Sequence, residues 1–317
     1  MEKYVYVVVW AFVLSWIACK SLIPILKKLK AGQNILSYVK EHESKSGTPT
    51  MGGIAFILAA VLIALFFVGK YERVFTLTIV IGVSYMIVGL LDDFLKQKHK
   101  ENLGLRAWQK LVFQTLIAAF AAVYCYRANL TFLHIPFTNK SINLGLWILP
   151  LSVFIFLATV NAVNLTDGLD GLAAGTCVPF FAVFGTLILL QGGVQSLSVV
   201  AFSLTGALLA YLLFNVHPAS VFMGDTGSLS LGGFVGCIAL FSGNALYVII
   251  VGACFALSVI SVIIQVIYYK VTGGKRVFLM APFHHHLQKK GYSEAYISYL
   301  YAVITLLLGC LCLVSAL

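Results

Sequence analysis

Charge is scarce in this chain. Asp, Glu, Lys and Arg make up 10% of its 317 residues, while 61% are hydrophobic. A water-soluble domain covers its surface with about 25% charged residues, so an ordinary soluble fold is excluded. Cysteine chemistry is also thin. None of the seven cysteines forms a CxxC pair, and Cys177, Cys237 and Cys254 sit inside apolar runs. Cys310 and Cys312 flank one leucine at the end of another run. They read as small hydrophobes, not as a metal or disulfide framework. No segment keeps a period-two alternation, which argues against a membrane barrel. Gly273-Gly274-Lys275 lacks the phosphate-loop spacing and follows no strand. Ionisable residues in mid-span and inverted hydropathy repeats are missing too. Both are expected of a secondary transporter, the rival class.

What the chain has instead is apolar blocks of near-bilayer length. Ten are read, at roughly 4–24, 51–68, 74–91, 110–126, 146–163, 172–190, 195–214, 229–242, 246–268 and 296–315. Helix is the expected state, because a lipid-exposed chain must satisfy its own backbone hydrogen bonds. No small-residue cleavage pattern follows the first block, so it is expected to be a retained helix. The eighth block is short and can draw on 225–228. The fold expected is an all-α polytopic membrane protein of about ten spans, forming one catalytic domain over 1–317.

The connections on one side are 25–50, 92–109, 164–171, 215–228 and 269–295. The other side holds Lys3, Lys70, Arg73, Arg127 and Lys140, leaving 16 of the 21 Lys and Arg on the crowded side. The positive-inside rule makes the crowded side cytoplasmic and puts both termini outside. Glu2 and Glu72 also fall outside. Glu41, Glu43, Asp92, Asp93, Glu101, Asp167, Asp170, Asp225 and Glu294 fall inside. Acids do not set topology, so their clustering points to a cytoplasmic active site. The long outer loop, 127–145, is expected to form at most a small hairpin.

Five cytoplasmic stretches carry chemistry. Asp92-Asp93 ends the third span. Adjacent acids at a membrane boundary need compensation, by a divalent cation, a base role or the nearby Lys96, Lys98, Lys100 and Lys110. Neighbours on a helix diverge by about 100°, so the pair is expected to do two jobs. In 161–171, Asn164, Asp167 and Asp170 recur three apart and would share a helical face if the helix continued. The same residues also suit an ordinary Asn/Asp/Gly turn. In 215–228, Asp225-Thr226-Gly227-Ser228 precedes an apolar helix, where Asp, Thr or Ser can cap and phosphate can bind. In 272–286, three consecutive histidines cannot all face one tetrahedral metal from a helix. With Lys275, Arg276, Lys289 and Lys290 they suit an anionic ligand. The fifth, 45–53, brings Lys45 and backbone donors to the second span. Carboxylates beside bases and glycine-rich helix starts suit magnesium-dependent phosphoryl transfer.

On these stretches the chain resembles the phospho-N-acetylmuramoyl-pentapeptide transferase family, within the polyprenyl-phosphate N-acetylhexosamine-1-phosphate transferases. The segments are 45–53, Asp92-Asp93 with Gly104, Leu105 and Lys110, then 164–171, 215–233 and 272–286. Pro282-x-His284-His285-His286 favours the muramoyl-pentapeptide branch over a related GlcNAc-1-phosphate transferase. The resemblance implies UDP-N-acetylmuramoyl-pentapeptide as donor, undecaprenyl phosphate as acceptor, and UMP and lipid I as products. That is the first membrane step of peptidoglycan synthesis in cell-wall biogenesis, at the bacterial cytoplasmic membrane.

It further implies catalytic roles for Asp92, Asp93 and Asp225. Asp225 would sit on Mg²⁺, with Asp92, Asp93 and Asn164 as further candidate ligands. Asp92 would act as the base toward the lipid phosphate. Lys45, Asp170 and Phe222 would surround the uridine. Lys110 and Asn164 would serve the phosphates, Asp167 the polar network beside them, and His284, His285 and His286 the donor phosphates or sugar. A homodimer is implied as well. One departure is Gln288, where family members commonly carry an acid two residues after the third histidine.

Overall fold

The computed structural model describes residues 2–29, 47–69, 72–99, 104–138 and 140–316. Its helices are α1 (Glu2–Lys28), α2 (Gly53–Phe67), α3 (Arg73–His99), α4 (Ala107–Arg127), α5 (Ile148–Thr166), α6 (Leu172–Leu190) and α7 (Gln195–Asn215). They continue as α8 (Gly224–Phe241), α9 (Tyr247–Val251), α10 (Ala253–Val271), α11 (Phe283–Lys289) and α12 (Glu294–Val314). Among the described residues, nine helices are long and apolar enough to cross a membrane. The protein is therefore an all-α, multi-pass membrane protein. The tenth expected span is α2, apolar but only 15 residues long.

The bundle is built around α8, which is almost wholly buried and packs against α3, α5, α2 and α6. A second line of contacts runs from α1 to α7, α7 to α6 and α6 to α12. The packing is close because small residues line it. Gly89 of α3 lies against the backbone of Asp225, where any Cβ would collide. This approach lets the end of α3 reach the start of α8.

Two sets of contacts define the two ends of the bundle. At one end, the starts of α2, α4, α6, α8 and α12 meet the finishes of α3, α5 and α7. At the other end, Ser196 in the first turn of α7 donates to Glu72 before α3, at 2.9 Å. Asn244 after α8 donates to Gln191 after α6, at 2.8 Å. The stretch 127–145 forms the small hairpin there. Strand β1 (Phe132–His134) pairs antiparallel with β2 (Ser141–Asn143), and the His134 N–H docks on the Gly243 carbonyl at 2.8 Å.

Three boundaries differ from the sequence reading. Helix α3 continues to His99, so Asp92 and Asp93 lie within its last turns and not in a loop. Helix α8 starts at Gly224, annexing the residues its short apolar block needed. The block at 246–268 is broken at Gly252, whose backbone leaves helical geometry at φ −89° and ψ 18°. Below the break α10 packs mainly against α5 and leaves most of its side chains exposed.

Candidate active site

The centre of the site is the first turn of α8. Its backbone donors are satisfied from another helix. Asp93 of α3 accepts from the Asp225 N–H at 3.1 Å, the Thr226 N–H at 3.0 Å and the Thr226 hydroxyl at 2.6 Å. A carboxylate at a helix N-terminus gains from both the unpaired N–H groups and the dipole. The cap expected from Asp225, Thr226 or Ser228 is thus supplied by Asp93. Both Asp93 oxygens are engaged and the residue is buried.

This frees the carboxylate of Asp225 to face outward from the helix start. Its Oδ2 receives Lys96 Nζ and Lys110 Nζ, each at 2.8 Å. Its Oδ1 receives Asn164 Nδ2 at 2.6 Å, and the same amide donates to Ser228 Oγ at 2.9 Å. Lys96 also pairs with Asp92 Oδ2 at 2.6 Å, so one ammonium bridges two acids. The second oxygen of Asp92 accepts from the Leu105 N–H at 2.7 Å. Just beyond, Gln109 Oε1 accepts from the Arg106 N–H at 2.9 Å and starts α4, which places Lys110. Oxygen atoms of Asp92, Asp93 and Asp225 all lie within 4.8 Å of one another.

A second group surrounds the turn between α5 and α6. Helix α5 ends at Thr166, and Gly171 is left-handed at φ +73°. Asn164, Asp167 and Asp170 therefore share no helical face. Asn164 turns to Asp225, Asp167 caps the end of α5, and Asp170 turns the other way. Asp170 Oδ2 meets His217 Nδ1 at 2.9 Å and the Ala219 N–H at 3.1 Å. This ties the turn to the segment carrying Phe222, which is half-buried. The segment is held in turn by 49–53. The Phe222 N–H donates to the Pro49 carbonyl at 2.8 Å, and the Gly52 N–H to the Phe222 carbonyl at 2.9 Å. Lys45 lies outside the described residues.

The three histidines, on α11, go three ways. His284 is fully buried against Gly168, neither ring nitrogen meets a hydrogen-bond partner, and burial, aided by the neighbouring His285, pushes its pKa down to about 3. Gly168 is needed there because a Cβ would enter the imidazole. His285 Nδ1 meets Gln288 Oε1 at 3.1 Å. His286 turns into its own loop, accepting from the Leu279 N–H at 3.1 Å and packing on Phe278 and Phe283.

Two residues of the site, His217 and Glu294, were given no role from sequence, and Lys96 was named only among the lysines near Asp92 and Asp93. Lys96 was legible as the i+4 partner of Asp92 on a helix. His217 stood in a quoted segment without a role. Glu294 carried no local signal. It joins Asp170 and His217 in a second group whose ligand atoms lie within 4.8 Å of one another.

Comparison with known proteins places the chain in a family. Residues 74–243 match the model for glycosyl transferase family 4, and residues 45–57 match signature 1 of phospho-N-acetylmuramoyl-pentapeptide-transferase. The enzyme of that name from Clostridium novyi (strain NT) is 44% identical over 312 residues, covering 97% of this chain and 95% of that protein. The one from Geobacillus sp. (strain WCH70) is 44% identical over 292 residues, covering 90% of each.

The chain belongs to the phospho-N-acetylmuramoyl-pentapeptide transferase family.

It is a bacterial multi-pass membrane enzyme and a phosphoglycosyl transferase. The match at 45–57 favours the muramoyl-pentapeptide branch over a GlcNAc-1-phosphate transferase. Membership in a transferase family sets the transporter aside.

Proposed function

We propose that the chain transfers phospho-N-acetylmuramoyl-pentapeptide from its UDP-linked donor to undecaprenyl phosphate, giving lipid I and UMP. The observation that carries this reading is Asp225, held at the start of α8 by two lysines and an amide, with Asp92 across the Lys96 ammonium.

The donor set suits Mg²⁺. Asp92 and Asp225 supply hard oxygen atoms within one small volume, as that ion requires. A cation already bridges them as Lys96, which supports a cation between the two acids. Asp225 and Asp92 would hold the ion, with Asn164 alongside. Asp93 is left out because both its oxygens cap the first turn of α8 through backbone N–H groups and a hydroxyl, whereas the ammonium groups on Asp92 and Asp225 can give way to another cation. When bound, Mg²⁺ neutralises the donor phosphates and polarises the phosphorus under attack.

The chain's own residues do the rest. The lipid phosphate, with a second pKa near 6, is largely dianionic at neutral pH. Asp92 therefore orients it more than it deprotonates it. A lipid phosphate oxygen bonds to the phosphorus that carries the sugar. The bond from that phosphorus to the bridging oxygen breaks, and UMP leaves with the electron pair. Lys110 and Lys96 hold the negative charge as it shifts. Asp170, Phe222 and Lys45 receive the uridine, and Asp167 joins the polar network between base and phosphates. His285 faces the rest of the donor, while the buried His284 packs beneath it against Gly168 and His286 shapes their loop.

Direct attack is preferred over a covalent aspartyl-phosphate intermediate because the dianionic lipid phosphate is itself a competent nucleophile. The site end is read as cytoplasmic, with ten crossings, both termini outside and a homodimer. The clustering of Lys and Arg on that side supports the orientation.

The test is transfer in detergent from labelled UDP-N-acetylmuramoyl-pentapeptide, beside UDP-N-acetylglucosamine, with undecaprenyl phosphate and Mg²⁺. Label should enter lipid only from the muramoyl donor and vanish in Asp225→Ala. Label from the glucosamine donor alone would move the chain to the sister branch. Transfer from neither, by folded protein, would overturn the reading.

A further inference from the structure

Gln288 and Glu294 connect two parts of the site that are far apart in sequence. The backbone N–H of Asp170, in the α5–α6 turn, donates to Glu294 Oε2 at 2.9 Å. The other Glu294 oxygen accepts from Gln288 Nε2 at 3.3 Å, and Gln288 Oε1 meets His285 Nδ1 at 3.1 Å. Glu294 is buried in the first turn of α12, whose start is fixed by Ser293 accepting from the Tyr296 N–H at 3.3 Å.

The chemistry of these groups gives the path a direction. A carboxylate only accepts, whereas an amide has one accepting and one donating end. The end of Gln288 that faces Glu294 must therefore be its NH₂, and the end that faces His285 must be its oxygen. An imidazole nitrogen facing that oxygen must carry a proton. Histidine tautomers are set in this way by the hydrogen bond that the second nitrogen makes.

We propose that Glu294 is a positioning residue that, through Gln288, fixes the proton of His285 on Nδ1 and so decides how His285 Nε2 meets the donor. The assignment rests on the donor-binding role given to His285 above. It also accounts for the departure at 288. A glutamate there would accept from His285 on either oxygen and need no second residue to orient it. A glutamine can turn either way, and Glu294 removes that freedom.

The consequence is a dependence between two positions. In Glu294→Gln, the new amide keeps its oxygen on the Asp170 N–H and presents NH₂ to residue 288. Gln288 must then turn its oxygen toward position 294 and its NH₂ toward His285, which moves the imidazole proton to Nε2. In Gln288→Glu, His285 keeps its Nδ1 proton. In the double variant Glu294→Gln with Gln288→Glu, the carboxylate at 288 accepts from both sides, and the original tautomer returns.

The experiment reads His285 directly, by nitrogen NMR of ¹⁵N-histidine-labelled protein at pH 8 without substrate. A His285→Gln sample assigns the signal. Donor KM and kcat are measured alongside. Glu294→Gln should exchange the two nitrogen environments and raise the donor KM about tenfold, with a smaller change in kcat. The double variant should restore both within about threefold, the coupling expected of directly bonded neighbours. An unchanged His285 signal in Glu294→Gln would overturn the proposal. So would a double variant as impaired as the single one, which would leave Glu294 a merely structural helix-end acid. The spectra need no donor, so wild-type protein that fails to transfer from the muramoyl donor would refute the functional reading without touching the relay.

Discussion

Asp92 and Asp93 are neighbours in sequence with opposite tasks. Asp92 faces the bases and Asp93 faces a helix terminus, as the angular separation of adjacent helical residues requires. Asp93→Asn would put an NH₂ against the N–H groups of Asp225 or Thr226. A cost of about 1–3 kcal/mol is expected, seen as a lower melting temperature together with lost transfer. Asp92→Asn leaves Lys96 its pairing with Asp225, so its melting temperature should move less. Its kcat should fall by about a hundredfold. Measuring kcat and thermal unfolding on both variants separates the two roles.

The buried His284 gives a pH prediction. Its folded pKa is pushed to about 3, below the ordinary value near 6.5. The fold holds it neutral, while the unfolded chain takes up a proton below about pH 6.5. Its contribution to stability is therefore complete above that pH and is lost as pH falls toward 3. Melting temperature should decline between pH 6.5 and 4, and decline less in His284→Asn.

At the scale of elements, the site depends on how closely α3 approaches α8. Gly89 makes that approach possible, and a Cβ there would enter the Asp225 backbone. Gly89→Ala should part the two helices, remove the Asp93 cap and abolish transfer. Gly69→Ala, whose added Cβ meets nothing, should not. Thermal unfolding in detergent should report the loss for Gly89→Ala as well. The apolar blocks and the acids were legible because each stands out from its surroundings: runs of lipid-compatible residues, and charges where charge is rare. Asp225 and Lys110 could be gathered from sequence on that ground, and Asn164 from its place in a polar turn between apolar runs. The partition of work was not legible. Which helix caps α8, where α5 stops, and that Glu294 reaches Asp170 all depend on contacts across the bundle, which local spacing does not encode. The break at Gly252 was hidden for the opposite reason: its flanks are uniformly apolar and look continuous.

For the whole molecule, the two ends of the bundle make an accessibility experiment direct. Cys310 is the exposed native thiol among the described residues, so the background is Cys310→Ser. In intact cells, a membrane-impermeant thiol reagent should label Ser141→Cys on the hairpin. Lys275→Cys, beside the histidine loop, should be labelled only after the membrane is opened. The reverse pattern would invert the orientation.

The site is also drawn from helix ends that span nearly the whole chain. The cap on α8 comes from α3, and the Asp170 turn is held by the first turn of α12. A chain emerging from the ribosome in order would thus already contain every proposed catalytic acid while still lacking a finished donor pocket. Competence would arrive late in synthesis, as the final helix enters the membrane. An unfinished copy, released early, would carry the acids into the bilayer without the completed site.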